Sequence, residues 1–577
     1  MNNYFDNYKQ WLNSDMLSAS EKAELTAISE NDDEIKSRFS SNLVFGTGGL
    51  RAIMKTGINA MNIHTVAHAT QGLATYIKSV HRELDGVVIA SDSRNNSKEF
   101  TKTAASVLAA NGIMVYLFDA MRPTPELSFA LRELACVAGI NVTASHNTRE
   151  YNGYKVYWDD GAQLSPEYAE AVSELINKTD IFKDVKTTDF DTAVSNGKIV
   201  IIGDEMDSKY IAKVLAEAIN PKAVKQVGNH FKVVYTPLHG TGYKLVPEVL
   251  TRLGVKKLFT VEEQMIPNGN FPTVAKPNPE FFETFALGIE KAREVNSDLI
   301  LATDPDADRV GVCIKKNDGE FYTLTGNQVG ALLLDYIITA LKSTGKMPDE
   351  PYAVKSIVST ELATKICERN DVRIYNVLTG FKYIGEVIKK NEAAEKYGYI
   401  FGFEESCGYL KGTYARDKDA VLAAMLITEM AAYYKTINMT LYDAICGLYE
   451  KYGFYAEKSD NFVISGINVT EQMSGFMKSI TENPPSDFGN STLVCFGNYA
   501  TQTISNLKTG NKTPTNLPCS DVLSFGLDSG DTIIVRPSGT EPKVKIYYLL
   551  CGKNETETAE KLALYRKIMS VYTDKLK

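Results

Sequence analysis

A serine and a histidine stand side by side where a short apolar run ends, within the stretch NVTASHNTREYNGYKVYW. A serine hydrolase elbow has glycine two residues on either side of its serine, and here those places hold Thr143 and Asn147. A serine that accepts and donates a phosphoryl group needs no such elbow. Ser145, with His146 beside it, is therefore a candidate nucleophile, and a solvent-exposed turn is the alternative.

Three aspartates alternate in a second loop, LILATDPDADRVGV at residues 299–312. In an extended loop alternate residues face one way, so the pattern predicts that Asp304, Asp306 and Asp308 converge on one cation. Three hard oxygen ligands suit Mg²⁺. Arg309 would then offset part of the negative charge or contact a phosphate, whereas the alternative is a plain acidic turn.

A third loop combines a cation with hydroxyl groups, in the stretch IIVRPSGTEPKVKI. Arg536 ends a predicted strand, a Pro-Ser-Gly-Thr turn follows, and Lys543 begins the next strand. A guanidinium, two hydroxyls and the backbone N–H groups of a glycine turn form a suitable phosphate cradle. The spacing differs from that of a nucleotide-binding P-loop, and a simple hairpin turn is the alternative.

A fourth loop carries neighbouring carboxylates after an aromatic strand, in the stretch YIFGFEESCGYL. Glu404, Glu405 and Ser406 could bind sugar hydroxyls through paired hydrogen bonds. A solvated acidic turn is the alternative.

The elements that must position these loops follow from strand–helix–strand patterns. Three such units recur, beginning with GVVIASDSR, FKVVYTPLHGTG and PYAVKSIVST, each followed by a helical segment and a second strand. They predict βαβ domains with largely parallel sheets, in which ligands bind at the carboxyl ends of the strands. The last 125 residues or so differ, since the short strands DTIIVRPSG and KVKIYYLL and a helix at 555–570 predict an α+β domain.

The length of 577 residues exceeds what one core supports. We expect domain boundaries near residues 205, 320 and 450. The first domain, 1–205, would contain amphipathic helices up to about residue 40 and the serine loop. The aspartate loop would lie in 206–320, the Glu404 loop in 321–450 and the Arg536 loop in 451–577.

Composition narrows the classes of function. Apolar residues make up 44% and charged residues 23% of the chain, and the net charge of −9 argues against broad binding to nucleic acid or anionic membrane. The eight cysteines form no C-x-x-C pair, so neither a disulfide framework nor a zinc ribbon is indicated. The first residues lack the features of a signal peptide, and the apolar stretch near residue 427 is short for a membrane span, so a buried helix and a cytoplasmic protein are expected.

The four loops, taken in order as TASHN, DPDADR, GFEES and RPSGTEPK, resemble the α-D-phosphohexomutase family and its phosphoglucomutase branch. The segment FGTGGLR at 45–51 is similar to the N-terminal signature of that family. The resemblance covers roughly residues 40–550. It implies an α/β protein of four domains, three similar βαβ-type domains with mixed sheets and a C-terminal α+β domain, arranged around a central cleft to which each domain contributes one loop.

The resemblance also implies roles for individual residues. Ser145 would carry the transferable phosphate and, with Asp304, Asp306 and Asp308, bind Mg²⁺. The residues near the transferring group would be His146, Lys155, Lys382 and Arg51. The residues that contact the sugar or its phosphate would be Arg309, Glu404, Ser406, Arg416, Arg536, Ser538, Gly539, Thr540 and Lys543.

The activity implied by the resemblance is the interconversion of glucose 1-phosphate and glucose 6-phosphate through glucose 1,6-bisphosphate. Mannose and pentose phosphates are alternative substrates within the same family. A sugar-phosphate phosphatase and a catalytically silent regulator that binds sugar phosphate are alternatives from other classes. The expected partner is a small hexose phosphate rather than nucleic acid or membrane, and the expected state is a monomer or weak dimer.

Overall fold

The computed structural model describes residues 4–43, 49–395, 397–464, 469–538 and 543–574. Residues 45–48 of the predicted N-terminal signature, and Gly539 and Thr540 of the predicted phosphate loop, lie outside the described residues.

The N-terminal segment forms three short helices, as its amphipathic pattern predicts: α1 Tyr4–Leu12, α2 Ala19–Ala27 and α3 Asp32–Phe39. Helix α2 begins with a capping box, in which the Ser18 side chain accepts from the Glu21 N–H and the Glu21 side chain accepts from the Ser18 N–H. Trp11 and Phe39 are buried among these helices, and the same cluster includes Ile181. The segment therefore packs against the chain around Ile181 through an apolar cluster.

The first sheet is mixed and has the strand order β1-β5-β4-β2-β3-β6. Strands β4, β2, β3 and β6 pair in parallel, whereas β5 pairs antiparallel with β4 and with β1. The strands are β1 Leu50–Ile53, β2 Val87–Ser91, β3 Val115–Phe118, β4 Ala138–Val142, β5 Tyr151–Trp158 and β6 Ile199–Ile202. The helices are α4 Ile63–Ser79, α5 Ser97–Ala110, α6 Thr124–Glu133, α7 Pro166–Lys178 and α8 Phe190–Ser195.

The second sheet is also mixed, with the order β11-β10-β9-β7-β8. Strands β9, β7 and β8 are parallel, and β10 and β11 continue the sheet antiparallel. The strands are β7 Lys232–Thr236, β8 Lys257–Thr260, β9 Leu299–Thr303, β10 Val310–Lys315 and β11 Phe321–Leu324. The helices are α9 Asp204–Ala216, α10 Pro221–Val227, α11 Gly242–Leu253, α12 Glu262–Met265 and α13 Ala286–Val295, with 3₁₀ turns at Gly228–His230 and Phe282–Phe285.

In the third sheet β12 lies between β13 and β14 and pairs in parallel with both. The strands of this part of the chain are β12 Pro351–Ser356, β13 Arg373–Val377, β14 Gly398–Glu404 and β15 Gly408–Leu410. The helices are α14 Gly326–Ser343, α15 Glu361–Glu368, α16 Phe381–Ala393, α17 Ala420–Thr436 and α18 Leu441–Tyr452.

The fourth sheet is antiparallel throughout, with the order β16-β22-β21-β20-β17-β18-β19. Its strands are β16 Phe454–Val463, β17 Leu493–Asn498, β18 Thr503–Asn506, β19 Lys512–Pro514, β20 Leu523–Leu527, β21 Thr532–Pro537 and β22 Lys543–Gly552. Helices α19 Val469–Glu482 and α20 Glu555–Thr573 accompany it. The predicted fold class is confirmed, because three α/β sheets with their helices precede an antiparallel sheet with two helices.

Two compact units make up the chain. The first comprises residues 1–325, 385–395 and 407–438, and the second comprises 326–384, 396–406 and 439–577. Each unit has its own apolar clusters. The division into four domains at 205, 320 and 450 stays a prediction.

Helix α17, the long apolar stretch of the sequence, is a core helix. Residues Ala420–Ala432 are all buried, including Glu429. Among the described residues no single helix has the length and composition of a membrane span, although α17 and α18 satisfy such a test as a bent pair.

Candidate active site

Ser145 lies in a tight loop three residues after β4. It is 2% exposed and has a φ of +50°, a left-handed conformation that is costly for a residue with a side chain. Its Oγ donates to Asp304 Oδ2 at 2.7 Å and lies 3.3 Å from Nδ1 of His146. The serine hydroxyl therefore lies between an imidazole and the aspartate loop, both within the first unit.

The aspartate loop is a turn, so the predicted extended backbone was wrong. The N–H of Ala307 donates to the carbonyl of Asp304 at 2.9 Å, and Ala307 has a φ of +49°. The N–H groups of Asp308 and Arg309 then donate to Asp304 Oδ1 at 3.1 and 3.0 Å. A closed turn, rather than strand-like alternation, brings the three carboxylates to one side.

The three carboxylates fit a divalent cation. One oxygen from each of Asp304, Asp306 and Asp308 lies within 4.8 Å of the others, and all three residues are buried. Oδ1 of Asp306 and Oδ1 of Asp308 are buried and accept no hydrogen bond from any described residue. Buried carboxylates this close repel one another, and hard oxygen donors are the ligands that Mg²⁺ prefers. The cluster could therefore hold a metal ion.

The pKa values of Asp304 and Asp306 are shifted in opposite directions. Burial, together with the charges of Asp306 and Asp308, raises the pKa of Asp304 well above its ordinary value. Burial acts in the same direction on Asp306, but the Lys155 ammonium, 2.8 Å away, holds the pKa of that carboxyl below its usual range. Burial lowers the pKa of Lys155, but the charges of Asp306 and Asp308 raise it by more. The pKa is therefore above its ordinary value, and the lysine stays charged.

A second lysine supports the same carboxylates, and sequence reasoning missed it. Lys418 Nζ lies 3.2 Å from Asp308 Oδ2 and 3.0 Å from Oδ1 of Asp417. Lys155 is 3.5 Å from the same Asp308 oxygen. The signal available in the sequence was the charged loop that follows β15, which holds Arg416, Asp417 and Lys418 in a row.

Cationic side chains surround the serine loop. Arg51, on β1, donates from Nη1 to Asn147 Oδ1 at 3.0 Å. Burial, followed by the charges of Arg309, Arg51 and Lys276, lowers the pKa of His146 well below its ordinary value. The imidazole is therefore neutral at neutral pH, and the loop lies in a positive field suited to a phosphoryl group.

Helix α6 reaches the aspartate loop with its first residue, another contact that sequence reasoning missed. Thr124 donates from its N–H to the Asp306 carbonyl and from Oγ1 to Asp306 Oδ2, each at 2.8 Å. Asn141, on β4, donates to Thr124 Oγ1 at 2.7 Å. Asp306 is thereby oriented by α6 and β4, the strand that precedes Ser145.

The loop after β7 packs against the aspartate loop from the other side. Leu238 and His239 are both left-handed, with φ of +47° and +64°. A Cβ atom at Gly240 would lie 2.4 Å from Cα of Pro305, and the Thr241 N–H donates to the Pro305 carbonyl at 2.8 Å. Only glycine fits this approach, which fixes the position of the turn.

The Glu404 loop belongs to the second unit. Glu404 ends β14, is 4% exposed, and accepts the Gly380 N–H on Oε1 at 2.6 Å. Glu405 accepts from Ser356 Oγ at 3.0 Å. Ser406 is partly buried beside them. The pair of glutamates therefore lies at the carboxyl end of the strand, as predicted, with one carboxylate already partnered by backbone.

The Arg536 loop lies in the same unit. Arg536 pairs with Lys545 in the register of β21 and β22, and the Ser538 N–H donates to the Lys543 carbonyl at 2.8 Å. Burial and then the charge of Glu405 raise the pKa of Tyr547, while Arg536 acts against them. The buried Tyr547 phenol is thus influenced by both the Glu404 loop and the Arg536 loop.

Two further predicted residues have other surroundings. Arg416 is buried, and its guanidinium forms an ion pair with Glu392 and contacts the carbonyls of Thr413 and Ala415. Lys382 Nζ lies 5.5 Å from the centre of the Tyr383 ring. Substrate and catalytic roles for Arg416 and Lys382 stay predictions.

Three family models match successive parts of the chain. The profiles described as phosphoglucomutase/phosphomannomutase, alpha/beta/alpha domains I, II and III, match residues 42–182, 208–319 and 325–452. The phosphoglucomutase of Staphylococcus saprophyticus is 35% identical over 533 residues, which is 92% of this chain and 94% of that protein. The phosphoglucomutase of Staphylococcus haemolyticus is 31% identical over 571 residues, covering 97% and 98% of the two chains.

Solved structures agree in fold. Parafusin, a phosphoglucomutase from Paramecium, superposes with a TM-score of 0.68 at 16% identity over 93% of this chain and 96% of its own. A phosphoglucomutase/phosphomannomutase family protein from Burkholderia thailandensis gives a TM-score of 0.66 at 16% identity over 92% and 97%. The chain therefore belongs to the phosphoglucomutase/phosphomannomutase family, a family of isomerases, and lies on its phosphoglucomutase branch.

Proposed function

We propose that this enzyme interconverts glucose 1-phosphate and glucose 6-phosphate through a phosphorylated Ser145. The observation that carries the proposal is the hydrogen bond from Ser145 Oγ to Asp304, because it joins a buried hydroxyl to a cluster of carboxylates suited to a cation. A phosphoryl group on that hydroxyl would lie beside the same carboxylates in both transfers. The curated relatives named phosphoglucomutase support glucose phosphate as the substrate.

The chemistry of each transfer is a displacement at phosphorus. The free C6 hydroxyl of glucose 1-phosphate gives up its proton and attacks the phosphoryl group on Ser145, the bond from phosphorus to Oγ breaks, and Oγ takes a proton. The product, glucose 1,6-bisphosphate, turns round in the site. Oγ then gives up its proton and attacks the C1 phosphate, the bond from phosphorus to O1 breaks, and O1 takes a proton. Glucose 6-phosphate leaves, and Ser145 is phosphorylated again.

The chain's own residues hold the reacting groups in place. Asp304, Asp306, Asp308 and Ser145 Oγ would bind Mg²⁺, which offsets charge on the phosphoryl oxygens when it is present. Lys155 stays charged beside that cluster and orients Asp306 and Asp308. His146 lies at 3.3 Å from Oγ, so it is a candidate to hold the proton that moves.

The sugar contacts are proposed for the second unit. Glu404 and Ser406 would bind ring hydroxyls, and Arg536, Ser538 and Lys543 would bind the phosphate that is not reacting. Gly539 and Thr540, which lie outside the described residues, would complete that set. A separate cradle for the distal phosphate has no use in a simple phosphatase, which favours the mutase over that alternative. The monomeric state and cytoplasmic location stay predictions.

One assay tests the proposal against its alternatives. Turnover of glucose 1-phosphate, mannose 1-phosphate and ribose 1-phosphate is compared with Mg²⁺ and a trace of the matching sugar bisphosphate. Glucose 1-phosphate should be used best, with little inorganic phosphate released. Faster pentose or mannose turnover would change the substrate, and stoichiometric phosphate release would indicate a phosphatase.

Substitution of the nucleophile is the matched test of mechanism. Ser145→Ala removes the hydroxyl that would carry the phosphoryl group, so it should lower turnover by about 10⁴-fold or more. Incubation with glucose 1,6-bisphosphate should phosphorylate the wild-type peptide that contains residue 145, and mass spectrometry should detect none in the variant. Retained turnover in Ser145→Ala would remove the serine from the mechanism.

A further inference from the structure

One buried arginine holds the backbone of the serine loop. Arg94 follows β2 by three residues and is 3% exposed. Its Nη2 donates to the carbonyls of Ser145 and Asn147, each at 2.5 Å. Its Nη1 donates to the carbonyls of Thr148 and Tyr151 at 2.8 and 2.9 Å. A single guanidinium therefore binds four carbonyls within seven consecutive residues.

Asp92 completes this arrangement on the amide side of the serine. Its Oδ2 lies 3.3 Å from Nε of Arg94 and accepts from Oγ1 of Thr143 at 2.6 Å. The same Thr143 Oγ1 accepts the N–H of Ser145 at 2.8 Å. Thr143 thus holds the N–H of Ser145, and Arg94 holds its carbonyl. Both Thr143 and Arg94 contact the carboxylate of Asp92.

An aromatic ring packs against the guanidinium of Arg94. The Arg94 guanidinium carbon lies 5.1 Å from the centre of the Phe271 ring, which is 3% exposed. The planar guanidinium, with its five N–H donors, fits this position, because the ring packs on its face and the four carbonyls lie around its edge. A lysine would keep the charge but has three donors at one point, so it cannot span the same carbonyls.

We propose that Arg94 and Thr143 are positioning residues that keep Ser145 in its left-handed conformation, with Oγ directed at Asp304. Left-handed backbone at a serine persists only where the surroundings enforce it, and the two restraints supply that enforcement. Without them Ser145 relaxes and Oγ moves away from the reacting position. The proposal rests on the proposed function for its kinetic consequence, but its structural consequence can be measured separately.

The first test is Arg94→Lys. A displacement of Oγ by about 1 Å should lower kcat by about 100-fold, while KM for glucose 1-phosphate changes by less than about threefold, because sugar binding is not altered. Amide hydrogen exchange in the peptide that spans residues 143–151 should become faster. An unchanged kcat, or unchanged exchange in this peptide, would overturn the proposal.

The matched control is Arg38→Lys. Arg38 is another buried arginine, paired with Glu24 and Glu34 and bonded to the Thr56 carbonyl, and none of its hydrogen bonds involves the serine loop. It should keep wild-type kcat, and exchange at 143–151 should not change. Loss of kcat in Arg38→Lys equal to that in Arg94→Lys would mean that the effect is general destabilisation, and would overturn the proposal.

A second pair of variants keeps the test decisive if Arg94→Lys does not fold. Thr143→Val preserves shape but removes the acceptor of the Ser145 N–H, whereas Thr143→Ser retains it. The valine variant should lose kcat and exchange faster at 143–151, and the serine variant should restore both towards wild type. Equal behaviour of the two would contradict the proposal. If wild-type protein turns over no sugar phosphate, the proposed function fails, and the exchange results alone decide the positioning role.

Discussion

At the scale of single residues, the site depends on keeping negative charge buried. Asp304, Asp306 and Asp308 lie together, and two lysines, Lys155 and Lys418, contact two of them. Ion pairs at this depth cost desolvation, and removal of one partner would leave a buried charge unpaired. Burial and repulsion among the three carboxylates raise the pKa of Asp304, and a divalent cation would relieve that repulsion.

Metal affinity is the property that Asp306 should govern. Asp306→Asn removes one anionic ligand and the partner of Lys155, so Mg²⁺ or Mn²⁺ binding measured by calorimetry should weaken by at least about tenfold. The control is Asp298→Asn, because Asp298 pairs with Lys435 in the same unit and lies outside the cluster. Equal metal affinity in the Asp306 variant and wild type would contradict the assignment of the aspartate loop.

At the scale of elements, loops rather than helices and strands carry strain. Ser145, Leu238, His239 and Ala307 are all left-handed, and each follows a strand of the first or second sheet. Strain of this kind persists where packing on several sides determines the conformation. The regular elements supply that packing, as Thr124 at the start of α6 shows by holding Asp306.

The close approach of Gly240 to Pro305 gives a prediction at this scale. Gly240→Ala would place a Cβ within 2.8 Å of three backbone atoms of Pro305, so the free energy of unfolding should fall by about 1–3 kcal/mol. Metal affinity should also weaken, because the turn must shift. Urea unfolding and calorimetry measure the two effects.

A glycine without such neighbours is the control for that variant. Gly447 lies inside α18, and a Cβ atom added there would meet open space, so Gly447→Ala should raise the free energy of unfolding by about 0.5–1 kcal/mol. If Gly240→Ala is as stable as wild type, the loop after β7 does not constrain the aspartate turn.

At the scale of the whole molecule, stability should depend on pH through a group far from the serine in sequence. Glu457, on β16 of the second unit, is partly buried. Burial raises its pKa from 4.5 to about 7, with Glu361 acting in the same direction and Thr360 and Lys355 acting against it. Between pH 4.5 and about 7, the folded state therefore keeps a proton on Glu457 that the unfolded state has released.

The sign of the pH dependence follows from that difference. The stabilisation is fully present below pH 4.5 and is lost as pH rises through about 7, so the free energy of unfolding should fall across this interval. Glu457→Gln should flatten the fall, as measured by urea unfolding at both ends of the interval. The exposed Glu471 on α19 provides the control, since Glu471→Gln should leave the slope unchanged. A slope unaffected by Glu457→Gln would show that other groups cause the dependence.

Local sequence patterns predicted the strands and the polar residues at the strand ends. Apolar runs that end in polar residues predicted β2, β4, β7, β9 and β21, because a strand or helix is set by residues close in sequence. The alternating aspartates predicted convergence but not the turn that causes it, since hydrogen bonds from Ala307, Asp308 and Arg309 to Asp304 decide the backbone. Whether loops from the two units share one cleft stays a prediction.

Local sequence patterns and the family resemblance were enough to predict the fold class, the order of the loops and the residue types that phosphoryl transfer needs. The side chains that orient those residues could be identified only from contacts between distant segments: Arg94 acts on a carbonyl 51 residues away, and Thr124 acts on a carboxylate 182 residues away. Periodicity records which face of its own element a residue occupies, and carries no information on which distant loop that face meets. That pairing is fixed when strands far apart in the chain pack side by side, which is why the residues that position Ser145 and Asp306 became visible only in the folded protein.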